Sequence, residues 1–422
     1  MKLLENKNIL LAVTGSIAIY KSLELIRLYI KAGANVKVIM TPSAKKFITP
    51  LTFETISQNS VIDDTNEDWS TNSVNNHIAL GKWADIFILA PVTANSINKL
   101  SNGIADNIML QTALAYPQTK LLCPAANTNM IKNPLTSASL KMLKLCNFKL
   151  IDTVTKELAC KDIGDGAMAN VEDIFGATAK ELLQDSYWEN RKVVLNSGGT
   201  IEKIDDIRYI SNFSSGKMGA NLALALYYKG ADVCLVTTKD HKLPPQIHTI
   251  KVESTQEMFE YIQDCLRVAL KGKMSSATLM DNSQMELIQK KPYFFGVAAI
   301  SDYTPSFPQT GKIKKTDIGS TWDLKLKQNI DILNSIDKSK IYTIGFKAET
   351  DQTVAKQNAL SMLENKKLDG VCLNIIDQNN SFGSNSNKIE FISKHNGFTL
   401  NGDKLDISME LLDNLKGIFS EN

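Results

Sequence analysis

Asn196-Ser197-Gly198-Gly199-Thr200, continued by Ile210-Ser211-Asn212-Phe213-Ser214-Ser215-Gly216-Lys217-Met218-Gly219, decides the fold of this chain. It follows directly on an apolar run, Val193-Val194-Leu195. A strand that ends in two glycines, then small hydroxyl residues and a second glycine pair, is how a backbone approaches phosphate groups. Gly198 and Gly199 permit positive φ and leave no Cβ in the way. Ser214, Ser215 and Gly216 are expected to open the next helix, whose free N–H groups favour an anion. This pattern in mid-chain means that a second nucleotide-type fold begins there. The chain is two enzymes, or one two-lobed enzyme.

The first half has the same grammar. Ile9-Leu10-Leu11-Ala12-Val13-Thr14 is a continuous apolar run, as in a buried parallel strand, and Gly15-Ser16 breaks it. Ile19, Leu23, Ile26 and Ile30 then recur at helical spacing, Gly33 stops the helix, and Val36–Met40 is the next strand. In the second half Met218–Lys229 is the helix, Gly230 the stop and Val233–Thr237 the strand. Further strands are expected at Ile86–Ala90, Leu121–Cys123, Phe294–Ala298, Ile341–Phe346 and Val371–Leu373. Alternating strands and helices imply an α/β chain with two Rossmann-like parallel-sheet domains. The boundary is placed in the polar stretch around Tyr187–Arg191, giving domains 1–187 and 191–422. Lys271–Lys291 and Asp377–Lys388 are expected to be surface loops or insertions.

Composition narrows the function. The 422 residues carry a net charge of +2, with 43% apolar and 22% charged residues. That is ordinary for a soluble globular protein and offers no basic stripe for nucleic acid. No apolar run approaches the roughly 20 residues of a membrane span, and the N-terminus reads straight into a strand. The six cysteines are widely spaced and form no C-x-x-C pair, which argues against a zinc site or a disulfide framework. A cytosolic protein with reduced thiols is expected.

Thr14-Gly15-Ser16 lacks the G-x-G-x-x-G pattern, so a nicotinamide dinucleotide is disfavoured. A hydroxyl-bearing first loop suits a mononucleotide phosphate, as in flavodoxin-like sheets. Two more hydroxyl clusters, Thr41-Pro42-Ser43 and Pro91-Val92-Thr93-Ala94-Asn95-Ser96, also follow strands. Ligands of open sheets bind at such carboxyl ends. His77 on its own reads first as a structural histidine, and Cys160, flanked by glycines and polar residues, reads as part of a loop.

Together these pieces match a family. Thr14-Gly15-Ser16-Ile17-Ala18, Tyr20-Lys21, His77, Trp83-Ala84-Asp85, Ala90–Asn95, Gly103–Asn107, Pro124-Ala125-Ala126-Asn127 and Leu158-Ala159-Cys160 resemble the flavin-dependent cysteine decarboxylases. Gly198-Gly199-Thr200, Ile204-Asp205, Arg208, Ile210–Asn212, Ser214–Gly219, Ala298–Tyr303, Lys312–Lys315 and Gly345–Thr350 resemble the phosphopantothenate–cysteine ligases. The order is that of the bacterial bifunctional coenzyme A biosynthesis family, and the motifs span almost the whole chain. Three positions depart from the pattern: Ala126 stands for the usual Met, Ala167 for Arg and Asp206 for Pro.

The resemblance implies two reactions. The C-terminal half would join 4′-phosphopantothenate to L-cysteine with CTP through an acyl-cytidylate, using Mg²⁺. Asn212 would orient the acyl-cytidylate. Gly199, Arg208, Ser214, Ser215, Gly216, Lys217, Asp302, Lys312, Lys314, Lys315, Phe346, Lys366 and Lys367 would bind substrate or nucleotide, with Asp302 also a Mg²⁺ contact. The lysine cluster alone reads as a solvated turn. The N-terminal half would decarboxylate 4′-phospho-N-pantothenoylcysteine with FMN, whose oxidation of the thiol provides an electron sink. Gly15, Ser16, Thr41, Ser43, Pro91, Thr93, Ala94 and Asn95 would hold the flavin; His77, Asn127 and Cys160 would act on the substrate. Decarboxylase trimers, ligase dimers and a dodecamer are the implied assemblies. Two rival readings are a nicotinamide-linked two-domain reductase and a flavin-binding regulatory protein with an inactive decarboxylase half.

Overall fold

The computed structural model describes residues 2–70, 73–157, 163–275, 285–314, 319–376 and 383–419. The chain divides into two compact units. One is Met1–Leu183 with Ser275–Glu286, and the other Gln184–Met274 with Leu287–Asn422.

The first unit is built on five parallel strands: β1 (Asn8–Val13), β2 (Asn35–Met40), β3 (Ile86–Val92), β4 (Lys120–Pro124) and β5 (Phe148–Leu150). Their order across the sheet is β2-β1-β3-β4-β5. That is the flavodoxin-like doubly wound order, in which the chain reverses direction next to β1. Every residue of β3 is buried, as a central strand covered on both faces requires. The helix Tyr20–Lys31 covers one face, but its inward stripe is turned from the one apolar spacing marks. Ser22, Leu25, Ile26 and Tyr29 are buried, while Leu23 and Ile30 are half-buried. The two polar members find partners inside: Ser22 Oγ donates to Ala90 O at 2.7 Å, and Tyr29 Oη lies 2.7 Å from Thr178 Oγ1. A hydrogen-bonded polar group is tolerated in a core, so apolar spacing alone misplaces the stripe.

The second unit holds an eight-stranded sheet. In order it runs His248–Lys251, Asp232–Thr237, Lys192–Ser197, Tyr293–Gly296, Tyr342–Glu349, Gly370–Ile375, Ser386–Ile392 and Gly397–Asp403. The first six are parallel; the last two run antiparallel at one edge. The stretch Asp377–Lys388, read as a surface insertion, therefore ends inside a strand that begins at Ser386. In Lys271–Lys291, Lys273–Met274 pairs antiparallel with Leu287–Ile288.

The polar stretch read as an inter-domain junction belongs to the second unit, just after its start at Gln184, and carries a buried anchor. Trp188 is fully buried, and its Nε1 donates to Leu412 O at 3.2 Å. Tyr187 Oη lies 2.6 Å from Tyr293 Oη, and Arg191 Nη1 donates to Lys291 O at 2.6 Å. Removing a buried aromatic costs about 3–5 kcal/mol. A fragment starting at Gln184 is therefore expected to fold, and one starting at Arg191 to melt at a markedly lower temperature. Equal melting of the two fragments would refute the bracing role of Trp188.

Candidate functional site

In the first unit a cavity of about 760 Å³ opens at the carboxyl ends of β1 to β4. Three hydroxyl loops meet there. Thr14 ties the first to the third: its N–H and its Oγ1 donate to Pro91 O, at 3.1 and 2.9 Å, and Thr93 N donates to Thr14 Oγ1 at 3.0 Å. Gly15 ties the first to the second, since a Cβ built on it would stand 2.6 Å from Ser43 Cβ. Ser16 caps the 3₁₀ turn Ile17–Ile19, and Thr93 caps the helix Ala94–Ser101, accepting from Ser96 N. Two helical starts thus face one cavity, which suits an anion.

Gly15, Ser16, Thr41, Ser43, Thr93, Ala94 and Asn95 all line this cavity. Pro91 does not; its carbonyl is the acceptor that positions Thr14. Asp64, Lys99, Asp106 and Asn107 also line it, and sequence reading did not single them out as site residues. Asn107 had a legible signal, as the cap of the helix Ile108–Ala115. Lys99 and Asp106 are ion-paired, so the cavity holds charge of both signs.

The candidate substrate residues are placed differently. Asn127 is exposed and caps the helix Thr128–Lys132, accepting from Asn129 N at 2.9 Å. His77 opens the helix His77–Trp83 and does not line the cavity. Its Nδ1 lies 3.1 Å from Glu67 Oε1, and the Trp69 ring meets it edge-on at 4.9 Å. Glu67 as acceptor fixes the proton on Nδ1 and leaves Nε2 as the basic nitrogen. Neither Glu67 nor Trp69 carried a sequence signal. Cys160 lies outside the described residues, between two strands, Val154–Glu157 and Ile163–Ala167, that pair antiparallel. This ribbon is docked by Ala126 N donating to Gly166 O at 3.1 Å. Ala126 and Ala167 are thus a docking residue and a ribbon residue here.

The second unit has its own cavity, about 160 Å³, at the carboxyl ends of its parallel strands. It is smaller than the roughly 300–1,000 Å³ of a whole-ligand pocket. Gly216 is the N-cap of the helix Lys217–Tyr228 and has a φ of 71°, which disfavours a side chain. A Cβ on Gly219 would stand 2.6 Å from Ser197 Cβ, so only glycine lets this helix rest on the strand end. Gly198 has a φ of 89°. Gly199 instead allows a close approach, a Cβ there standing 2.5 Å from Asn212 O.

Ser214, Ser215, Gly216, Lys217 and Phe346 line this cavity. So do Gly383, Asn387 and Lys404, which sequence reading missed. Lys217 Nζ donates to Gly383 O at 2.7 Å and Asn385 Oδ1 at 2.9 Å; Lys404 Nζ donates to Ser384 O. Burial, and then the charge of Lys217, hold the Lys404 ammonium below its usual range. Two ammonium groups that disfavour each other in one cavity are relieved by an anion.

Asn212 is exposed beside this cavity, its Nδ2 donating to Ile300 O at 2.8 Å. Asp302 is exposed and does not line it; its carbonyl accepts from Asn329 N at 2.8 Å. Arg208 is committed elsewhere. It pairs with Asp205, donates to Ile313 O at 2.9 Å and stacks on Trp322 at 4.7 Å. The Arg208 guanidinium and three backbone N–H groups hold the Asp205 carboxyl well below the usual carboxylate range. Asp206, at the position usually Pro, accepts from Gly311 N at 2.7 Å. Asp205, Asp206 and Arg208 thus form the base of the Lys312 and Lys314 segment; neither lysine lines the cavity, and Lys315 lies outside the described residues. Lys366 and Lys367 are not brought to it either. They precede the strand Gly370–Ile375, at its amino end, where Lys366 pairs with Asp331 at 2.8 Å. Among the described residues no group of three or more His, Cys, Asp or Glu side chains is placed to hold a metal ion. No helix of the described residues is long and apolar enough to cross a membrane.

Residues 2–183 match the Flavoprotein family, and residues 188–273 and 267–418 match the DNA/pantothenate metabolism flavoprotein C-terminal domain. The coenzyme A biosynthesis bifunctional protein CoaBC of Haemophilus influenzae is 34% identical over 418 residues, covering 98% of each chain. This chain belongs to the CoaBC family. The Bacillus subtilis protein of the same name is 33% identical over 423 residues, covering 99% of this chain and 98% of that one. A solved PPC decarboxylase mutant complexed with pantothenoylaminoethenethiol is 32% identical over 41% of this chain and 96% of its own, with a TM-score of 0.37. As a CoaBC the chain is a bifunctional enzyme of coenzyme A biosynthesis, with decarboxylase and phosphopantothenate–cysteine ligase activities.

The two close approaches make separable tests. Gly15→Ala should lower bound flavin, read as absorbance near 450 nm, and leave ligation intact. Gly219→Ala should do the reverse, cutting ligation at least tenfold, about 1.4 kcal/mol of transition-state stabilisation. Loss of both activities in either variant would contradict two independent sites.

Proposed function

We propose that the first unit carries the decarboxylase site and binds FMN, and that the second carries a CTP-dependent ligase site. The convergence of glycine-spaced loops on helical starts at the strand ends of each sheet carries this reading. In the first unit the Ser16 and Thr93 caps and the Gly15 approach fit a phosphate monoester, and the adjoining cavity is of flavin size. FMN, when bound, supplies a reversible two-electron sink for the substrate thiol. Asn127 orients the substrate carboxylate, and Cys160 delivers the proton that completes the product. His77 lies outside its own chain's cavity, while Glu67 readies its Nε2 to accept a proton. This fits a site completed by a second copy of the chain.

In the second unit Lys217, Lys404 and the first turn of the helix Lys217–Tyr228 receive the triphosphate. Phe346 supplies an apolar wall for the base. The phosphopantothenate carboxylate attacks the α-phosphorus and pyrophosphate leaves; the cysteine amine then displaces CMP. Asn212 holds the acyl-cytidylate, and the Lys312–Lys315 segment adds positive charge over the developing phosphate charge. Mg²⁺ carried by the triphosphate would neutralise part of its charge, and Asp302 is the residue that would contact it.

Full-length protein given 4′-phosphopantothenate, L-cysteine and CTP should yield 4′-phosphopantetheine by mass spectrometry. Absence of both product and ligated intermediate would overturn the reading. Lys404→Met should raise the KM for CTP about tenfold, the equivalent of 1.4 kcal/mol, with decarboxylation unchanged; an unaltered KM would remove Lys404 from the nucleotide site. Cys160→Ser should still release CO₂ but stall at a product two hydrogens short, because a hydroxyl is a far weaker acid than a thiol of pKa about 8.5. Normal 4′-phosphopantetheine formation by that variant would return Cys160 to a structural role.

A further inference from the structure

Between the second sheet and the helix Thr255–Ala269 lie two thiols that neither proposed reaction uses. Cys234 lies on the strand Asp232–Thr237 and Cys265 on the helix Thr255–Ala269, and their Sγ atoms are 3.0 Å apart. Both are partly exposed, whereas Cys123 and Cys372 are buried. Both also line a cavity of about 400 Å³, together with His248, Tyr261 and Asp264. A small oxidant therefore has a route to a preformed sulfur pair. Spacing in the sequence gives no hint of it, because the two cysteines are 31 positions apart.

We propose that Cys234 and Cys265 form a reversible dithiol–disulfide site, oxidised by low-molecular-weight disulfides. Cys265 is the attacking group: its hydrogen bond with Cys234 holds its thiol below the ordinary range, while that contact and burial push Cys234 up. The Cys265 thiolate attacks one sulfur of the oxidant, expelling one thiolate and leaving a mixed disulfide. Cys234 then loses its proton, attacks the Cys265 sulfur and expels the second thiolate. The protein gives up two protons and two electrons; the oxidant leaves as two thiols.

The crosslink ties the strand Asp232–Thr237, second from the edge of the sheet, to the helix Thr255–Ala269. That helix begins at Thr255, whose Oγ1 donates to Glu202 Oε1 at 2.6 Å and lies 3.1 Å from Thr200 Oγ1. Thr200 Oγ1 in turn accepts from Ser301 N at 3.0 Å, beside Asp302. Oxidation of the pair therefore fixes a helix that braces the glycine loop of the ligase unit.

The test is peptide mapping of the full-length protein after oxidised glutathione, alkylation of the remaining thiols, and proteolysis without reduction. The expected result is a linked pair of peptides containing Cys234 and Cys265, with the chain lighter by about 2 Da and restored by dithiothreitol. Cys234→Ser should instead retain glutathione on Cys265, and Cys265→Ser should give no internal crosslink. Full alkylation of both cysteines in the oxidised wild-type protein would overturn the proposal, as would a stable glutathione adduct there without a crosslink. The wild-type protein decides the matter alone, so poor folding of a variant leaves the test intact.

Discussion

Both sites depend on glycines that let the backbone approach a neighbouring segment more closely than any Cβ allows. Gly15 rests on Ser43, Gly199 on the carbonyl of Asn212 and Gly219 on Ser197. In each case a side chain would stand closer than 3.0 Å to its neighbour. The parallel sheets set up these approaches, because every strand delivers its loop to the same edge and every following helix starts there. Helix starts gathered at one edge favour an anion through chain direction, before any charged side chain is added.

Charge is what distinguishes the two sites. The first is lined by hydroxyls and caps, and its Lys99 is paired with Asp106. The second brings the Lys217 and Lys404 ammonium groups to one cavity and ties both to the segment Gly383–Asn385. A flavin monophosphate and a nucleoside triphosphate differ in the same sense, which is why the proposed ligands are assigned as they are. Arg208, in contrast, spends its guanidinium on Asp205, Ile313 and Trp322. It holds the base of a lysine-bearing segment.

What was legible in the sequence is what is local. The glycine loops, the first strands of each half and the hydroxyl clusters are contiguous, so spacing and residue type place them. The missed residues come from pairing between distant segments. Lys404 and Asn387 reach the Gly216 loop only because the chain turns back in two antiparallel strands after Gly370–Ile375. A parallel-sheet expectation has no place for such strands. The polar neighbours of Trp188 hid the fully buried anchor that sits just past the start of the second unit. Lys366 and Lys367 precede a strand, and the ligand edge is where strands end. His77 was readable as a candidate, but its carboxylate partner Glu67 was not, because no helical or strand period links the two.

Hydrogen–deuterium exchange on the full-length protein, with and without CTP, tests the central claim of two separate carboxyl-end sites most directly. The account predicts slowed exchange at 213–219 and 383–404, with the loops at 14–16, 41–43 and 93–96 unchanged. Protection of the 14–16 loop by CTP, with none at 213–219, would contradict it.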